Sequence, residues 1–165
     1  MDSRGVLLEG LQIDIERPSR IVLVARDIDG ERSFQGFAGD KGKGFADQAL
    51  NAEEINHNWG YLSQYASWLV VGTIPLAYEV SERALLWALK QASSCDLKIA
   101  IDVNWRPTFW NSLLLSNNHP NKEILEKIYS VLEQASLLKL SKEEAICFFN
   151  SSDPEHISKK LPNNP

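Results

Sequence analysis

Apolar and polar positions change their pattern near residue 66. After it, three short apolar runs of buried-strand length recur: "SWLVVGTI" (67–74), "LKIAID" (97–102) and "SLLKL" (136–140). Longer stretches with helical spacing separate them. In residues 77–95, Val80, Ala84, Leu85, Trp87 and Ala88 fall mostly on one face; in residues 121–135, Ile124, Leu125, Ile128, Val131 and Leu132 do so. "SKEEAICFFN" (141–150) predicts a further helix. "DPEHISKKL" (153–161) predicts another, with Asp153 as N-cap and Pro154 in its first turn. Strands apolar on both faces, in the order β-α-β-α-β-α, imply a parallel sheet with right-handed crossovers.

Before residue 66 the pattern is different. "RIVLVAR" (20–26) is rich in β-branched residues and reads as a strand. "DIDG" (27–30) reads as a turn in which Gly30 takes a positive φ, and "ERSFQGF" (31–37) as the returning strand of a hairpin. Residues 38–44 form a glycine-rich exit. Within 45–66, "FADQALNAEEI" suggests a helix followed by a polar loop and "GYLSQYA".

Composition narrows the class. At 165 residues the chain is long enough for one domain with a sizeable core. A net charge of -5 argues against a nucleic-acid footprint, and no apolar run approaches a membrane span. The first residues, "MDSRGVLLEGLQ", lack signal-peptide architecture, so the Asn150-Ser151-Ser152 sequon carries little weight. Cys95 and Cys147 read as two free, buried thiols of a reducing compartment, which points to the cytoplasm.

In open α/β sheets ligands bind outside the carboxyl ends of the strands. Three such exits are legible: Gly72-Thr73-Ile74-Pro75, the stretch "DVNWRPTFW" (102–110), and Ser141-Lys142-Glu143-Glu144. Together they offer a hydroxyl, an amide, a guanidinium and carboxylates. That set suits a polyhydroxylated or phosphorylated ligand, with Arg106 pairing an anion and a carboxylate assisting a hydrated Mg²⁺. Plainer roles stand beside these. Ser141 and Glu144 have capping-box spacing. Asp102 could hold its loop by an Asx turn. Arg106 could stack on Trp105 or Trp110. Thr73 could satisfy backbone groups, and Trp68 and Trp87 could be core.

Other chemistries fail on spacing. Gly42-Lys43 is followed by Gly44, and Phe37 stands where a phosphate loop needs its first glycine. No GxGxxG follows a strand. His57, His119 and His156 are scattered in polar segments, without metal-ligand spacing, and read as solvated.

The hairpin "RIVLVARDIDGERSFQGF", the exit "GTI", the loop "DVNWRPTFW" and the segment "LLKLSKEEA" occur in an order and spacing that resemble the PfkB (ribokinase-like) carbohydrate kinases. The likeness runs from about residue 8 to 161 and is nearest to fructokinases and 2-keto-3-deoxygluconate kinases. It implies an α/β fold: an incomplete, parallel-sheet Rossmann-like ribokinase core over about 67–161, with a small β lid hairpin over about 20–37. By position it implies that Arg26, Ile74, Asn104 and Arg106 face the sugar. It also implies that Glu144 acts through water on Mg²⁺, and that ATP is the phosphoryl donor. Ser141 stands where ribokinases proper carry Asn, which favours the fructokinase branch.

The resemblance also sets limits. The family's Gly-Gly sugar segment and its Gly-Ala-Gly-Asp motif, whose Asp is the general base, are not found in these residues. "AGD" (38–40) imitates the latter but sits at the lid exit, so Asp40 reads as a solvated loop residue. The expectation is therefore a single partial kinase domain, residues 1–165, lacking its N- and C-terminal parts and inactive alone, with no catalytic residue of its own. Its expected partners are a sugar (fructose or a keto-deoxy sugar acid) and a second copy bound through the lid, with neither nucleic acid nor membrane. Two alternatives are a non-catalytic sugar-binding or oligomerisation module and a Rossmann-type nucleotide-binding domain; the missing glycine fingerprint counts against the second.

Overall fold

The computed structural model describes residues 2–40, 42–110, 115–116 and 119–165. Strands β1 (Ile21–Arg26) and β2 (Arg32–Ala38) form the antiparallel hairpin. Its tip closes on Asp27, whose Oδ1 accepts from Asp29 N at 3.0 Å and Glu31 N at 2.9 Å, and Gly30 takes φ 83° as expected. The register slips between Leu23 and Val24, leaving Gln35 as an extra residue beside Gly36 at φ 135°.

Helix α1 (Ala52–Ser63) starts later and runs longer than the sequence suggested. Asn51 is its N-cap: the side chain accepts from Glu53 N at 2.7 Å and Glu54 N at 3.3 Å. The helix continues through residues 56–59, where a polar loop was expected, and on past Gly60. A glycine costs an isolated helix about 1 kcal/mol, but here the adjoining Trp59 packs edge-to-face on Trp87, ring centroids 5.4 Å apart.

The main sheet has the order β3-β4-β7, all parallel: β3 (Trp68–Gly72), β4 (Lys98–Asp102) and β7 (Leu137–Lys139). Helices α2 (Glu79–Ser94) and α3 (Lys122–Leu132) are the two crossovers. Their buried stripes are Leu85, Leu89 and Ala92, and Ile124, Ile128, Val131 and Leu132. These pack with Ile99, Ile101 and Val103 into one core, which Phe148, Phe149, Ile157 and Leu161 extend from α4 (Lys142–Phe149), α5 (Pro154–Ser158) and the turn after it. A short pair not foreseen, β5 (Leu115–Ser116) with β6 (His119–Pro120), precedes α3.

Three expectations change. The sheet is covered on one face: Trp68 is 42% exposed, Val70 72% and Leu137 54%, so Trp68 is no core residue. Alternate residues of the same strands point to opposite faces, and α2 and α3 lie over only one of them. Trp87 is half-buried, against α1. Nor are both thiols buried. Cys95 is exposed because it is the C-cap of α2, beyond the stripe that meets the sheet; Cys147 is half-buried.

Candidate functional site

The carboxyl edge of the sheet is built by register. Gly72 lies opposite Asp102, and Asp102 opposite Lys139, so the three strand exits stand in one row. Thr73 is buried and its hydroxyl donates to Val103 O at 2.5 Å, tying the first exit to the second; the expected backbone role is what it performs. Asp102 reaches sideways and accepts from Lys139 Nζ at 2.5 Å.

The loop 103–110 begins with an unusual backbone. Asn104 takes φ 46°, a left-handed conformation that asparagine tolerates better than most residues. Its side chain makes no hydrogen bond among the described residues. Trp105 N donates to Glu144 Oε1 at 2.6 Å. The Trp105 ring lies 5.7 Å from Trp110 and 5.7 Å from Phe148, so the two tryptophans anchor the loop on α4. Arg106 is exposed and its Nη1 donates to the Trp105 carbonyl at 2.8 Å. No cation–π contact of Arg106 is present among the described residues.

Glu144 is the hinge of this arrangement. Its second oxygen accepts from Ser141 N at 2.8 Å, while Ser141 Oγ accepts from Glu144 N at 3.1 Å. The capping box is therefore formed, and the same buried carboxylate also holds the loop 103–110 from 39 residues away. The S-x-x-E spacing revealed the first role; nothing local revealed the second. The neighbouring Glu143 carboxyl is held below its ordinary range by its own backbone N–H and then by the Ser141 hydroxyl.

A cavity of about 400 Å³ opens here, lined by Trp105, Arg106, Pro107, His119, Ser141, Glu143, Glu144 and Cys147. It brings Arg106 and Glu144 together. Ile74 lies half-buried at the start of the 3-10 turn Ile74–Ala77, and Arg26 is exposed at the tip end of β1; neither lines this cavity. His119 is exposed, yet its Nδ1 lies 3.5 Å from Cys147 Sγ. Burial, and then the Glu144 charge, push the Cys147 thiol up, so it stays protonated at neutral pH. Asp40 shapes the exit from the hairpin, accepting from Gly42 N at 2.8 Å and Gly44 N at 3.0 Å.

Among the described residues no three His, Cys, Asp or Glu side chains converge on a metal position. Both Glu144 oxygens already accept protein N–H groups. Among the described residues there is thus no ligand set for direct coordination of a cation. No helix among the described residues is long and apolar enough to cross a membrane.

Comparison with known proteins agrees with the likeness read from the loop and hairpin. No family model matches the chain. It is 29% identical over 152 residues to a fructokinase of Vibrio alginolyticus, covering 92% of this chain and 44% of that protein. It is 25% identical over 155 residues to a probable chloroplastic fructokinase of Arabidopsis thaliana, covering 93% of this chain and 36% of that one. Among solved structures, Xylella fastidiosa fructokinase with bound ATP matches with a TM-score of 0.68 at 21% identity, over 90% of this chain and 42% of that one. Vibrio cholerae fructokinase with fructose, ADP and calcium ion matches with a TM-score of 0.64 at 23% identity, over 91% and 43%. The fold is that of ribokinase-like sugar kinases, and the chain spans less than half the length of the curated relatives it matches.

Proposed function

We propose that this chain is the sugar-side portion of a fructokinase-like, ATP-dependent sugar kinase. The observation that carries this is the similarity to a bacterial fructokinase along nine-tenths of the chain. In this proposal Arg26, Ile74, Asn104 and Arg106 face the sugar. Asn104 offers an amide for hydroxyls, and Arg106 a fork of donors for the phosphate being transferred. Glu144 fixes the loop that carries both, and reaches a hydrated Mg²⁺ through water. ATP and Mg²⁺ belong to the whole enzyme. No general base is assigned here, because Asp40 is spent on the lid exit and Gly-Ala-Gly-Asp is absent from the sequence. Phosphoryl transfer needs that base and a positioned nucleotide as well as the sugar contacts.

The hairpin supports a second role, as a contact between two copies. Every residue of β1 is exposed, including Ile21, Val22, Leu23 and Val24. With no membrane-spanning helix described, a cytoplasmic location fits the thiol-bearing, acidic chain.

Calorimetry with fructose tests the proposal. Fructose should bind the folded chain, and Arg106→Ala should weaken it by about tenfold or more, the loss expected for a charge-assisted contact. A coupled assay on the chain alone should show no sugar-dependent ADP formation, and sedimentation of the same sample should show a dimer. A folded chain that ignores both fructose and keto-deoxy sugar acids would sink the sugar-side assignment. Turnover by the chain alone would sink the missing-base argument.

A further inference from the structure

Arg20 stands just before β1 and has no part in the proposed sugar contacts. Its side chain is only 10% exposed, unusual for an arginine. Three rings surround its guanidinium: the carbon lies 4.4 Å from the centroid of Phe37, 4.2 Å from Phe45 and 4.5 Å from Phe109. Asp47 closes the remaining side, its two oxygens accepting from Nε at 3.3 Å and Nη2 at 2.9 Å. The rings also meet one another: Phe37 is edge-on to Phe109 at 4.9 Å and to Phe45 at 6.1 Å.

These groups come from three separate parts of the chain. Arg20 and Phe37 are the base of the hairpin. Phe45 and Asp47 belong to the segment that leaves it. Phe109 ends the 3-10 turn Pro107–Phe109, which follows Arg106 directly. The cluster therefore joins the hairpin to the loop bearing Asn104 and Arg106. A hairpin attached only by its two strands could tilt freely. Here its base is joined to the substrate-side loop by a cation that would lose its ring contacts and its Asp47 pair if the hairpin tilted away.

We propose that Arg20 is a positioning residue: it clamps the hairpin to the 106–110 turn so that the two move as one body. Arg26 sits six residues further along β1, about 20 Å away at ~3.3 Å per residue. A small rotation at the clamp thus becomes a large displacement at Arg26. This rests on the sugar-side assignment of Arg26 and Arg106 for its functional meaning, but the mechanical coupling does not require a sugar.

Hydrogen exchange on the full chain, without sugar, tests the clamp. Two regions are followed: the hairpin base around Ile21 and Ala38, and the turn amides Phe109 N and Trp110 N, which donate to Arg106 O at 3.1 Å and Pro107 O at 3.0 Å. Arg20→Gln should speed exchange in both regions by about tenfold, leaving α3 unchanged. Arg20→Lys keeps the charge but not the flat stacking surface, so it should rescue only part of the effect. Phe109→Leu, made on the loop side alone, should speed exchange at the hairpin base. If Phe109→Leu loosens only its own turn, or if Arg20→Gln accelerates α3 equally, the clamp is refuted. Fructose calorimetry on the same variants separates the two claims. A coupled hairpin in a chain that binds neither fructose nor keto-deoxy sugar acids would sink the sugar-side assignment alone. Fructose binding with uncoupled regions would sink the clamp alone.

Discussion

"IVLVAR" in β1 and "KIAID" in β4 are both short, apolar and β-branched, yet they end in opposite environments. All six residues of β1 are exposed, whereas Ile99 and Ile101 of β4 are 3% and 1% exposed. The difference lies in the neighbours. β4 has a strand on each side and two helices over one face; β1 has β2 alone. Among the described residues before β3, Phe45 is the one buried apolar side chain, and the other buried apolar side chains run from Leu76 to Leu161. The core region is held by packing. The region before it is held by the Arg20 cluster and by ion pairs: Arg17 with Asp14, Arg20 with Asp47, and Lys43 with Glu16.

The sharpest test of this contrast is a matched pair of truncations. Ile128→Ala empties a fully buried site in α3 and should cost about 2–5 kcal/mol, the range for large-to-small changes in a core. Leu23→Ala in β1, measured at a concentration dilute enough to keep the chain monomeric, should change stability by no more than about 0.5 kcal/mol. Urea denaturation measures both. Equal losses in the monomer would break the comparison, because they would mean that the hairpin packs against its own chain.

The α/β core was legible because its signals are local. The stripe Ile124, Ile128, Val131 and Leu132 fixes α3 by spacing alone, and Ser141 with Glu144 announces a helix start. What the sequence hid is tertiary. Oε1 of Glu144 finds Trp105 N only because β4 and β7 are adjacent, and Val103 N donates to Lys139 O at 3.1 Å to set their exits side by side. Phe37, Phe45 and Phe109 are ordinary aromatics until the fold gathers them around Arg20. Exposure of Trp68 and Val70 could not be read from an apolar run, because a run says that a strand can be covered on both faces, not that it is.

Next in size is the loop anchor, the point where the packed core reaches out to order a polar segment. Glu144→Ala removes the carboxylate that accepts from Trp105 N and Ser141 N and should cost about 1–3 kcal/mol. Ser141→Ala removes only the cap and should cost about 1 kcal/mol. The tryptophan emission of the loop should shift in the first variant and not in the second. A shift of equal size in both would show that the cap, not the cross-link to Trp105, orders the loop.

The smallest effects belong to the ion pairs of the first region, and their sign can be worked out. Hydrogen bonding by the Arg17 side chain, then by the Arg17 and Glu16 backbone N–H groups, pulls the Asp14 carboxyl down to about 2. Its folded value therefore lies below its unfolded one. The stabilisation it gives is fully present above about 4 and is lost as pH falls through about 2. The amide signals of Glu16 and Arg17 should titrate with a midpoint near that lower value; a midpoint near 4 would mean that the turn is not formed. Salt acts on the same pairs. At 1 M the screening length is about 3 Å, so tryptic cleavage after Lys43, whose pair with Glu16 is exposed, should rise, but by less than about fivefold, because exposed pairs are individually weak. Cleavage after Lys127 and Lys139, in the packed region, should not change. A salt response shared by both regions would show that one cooperative unit, not two differently held ones, opens to the protease.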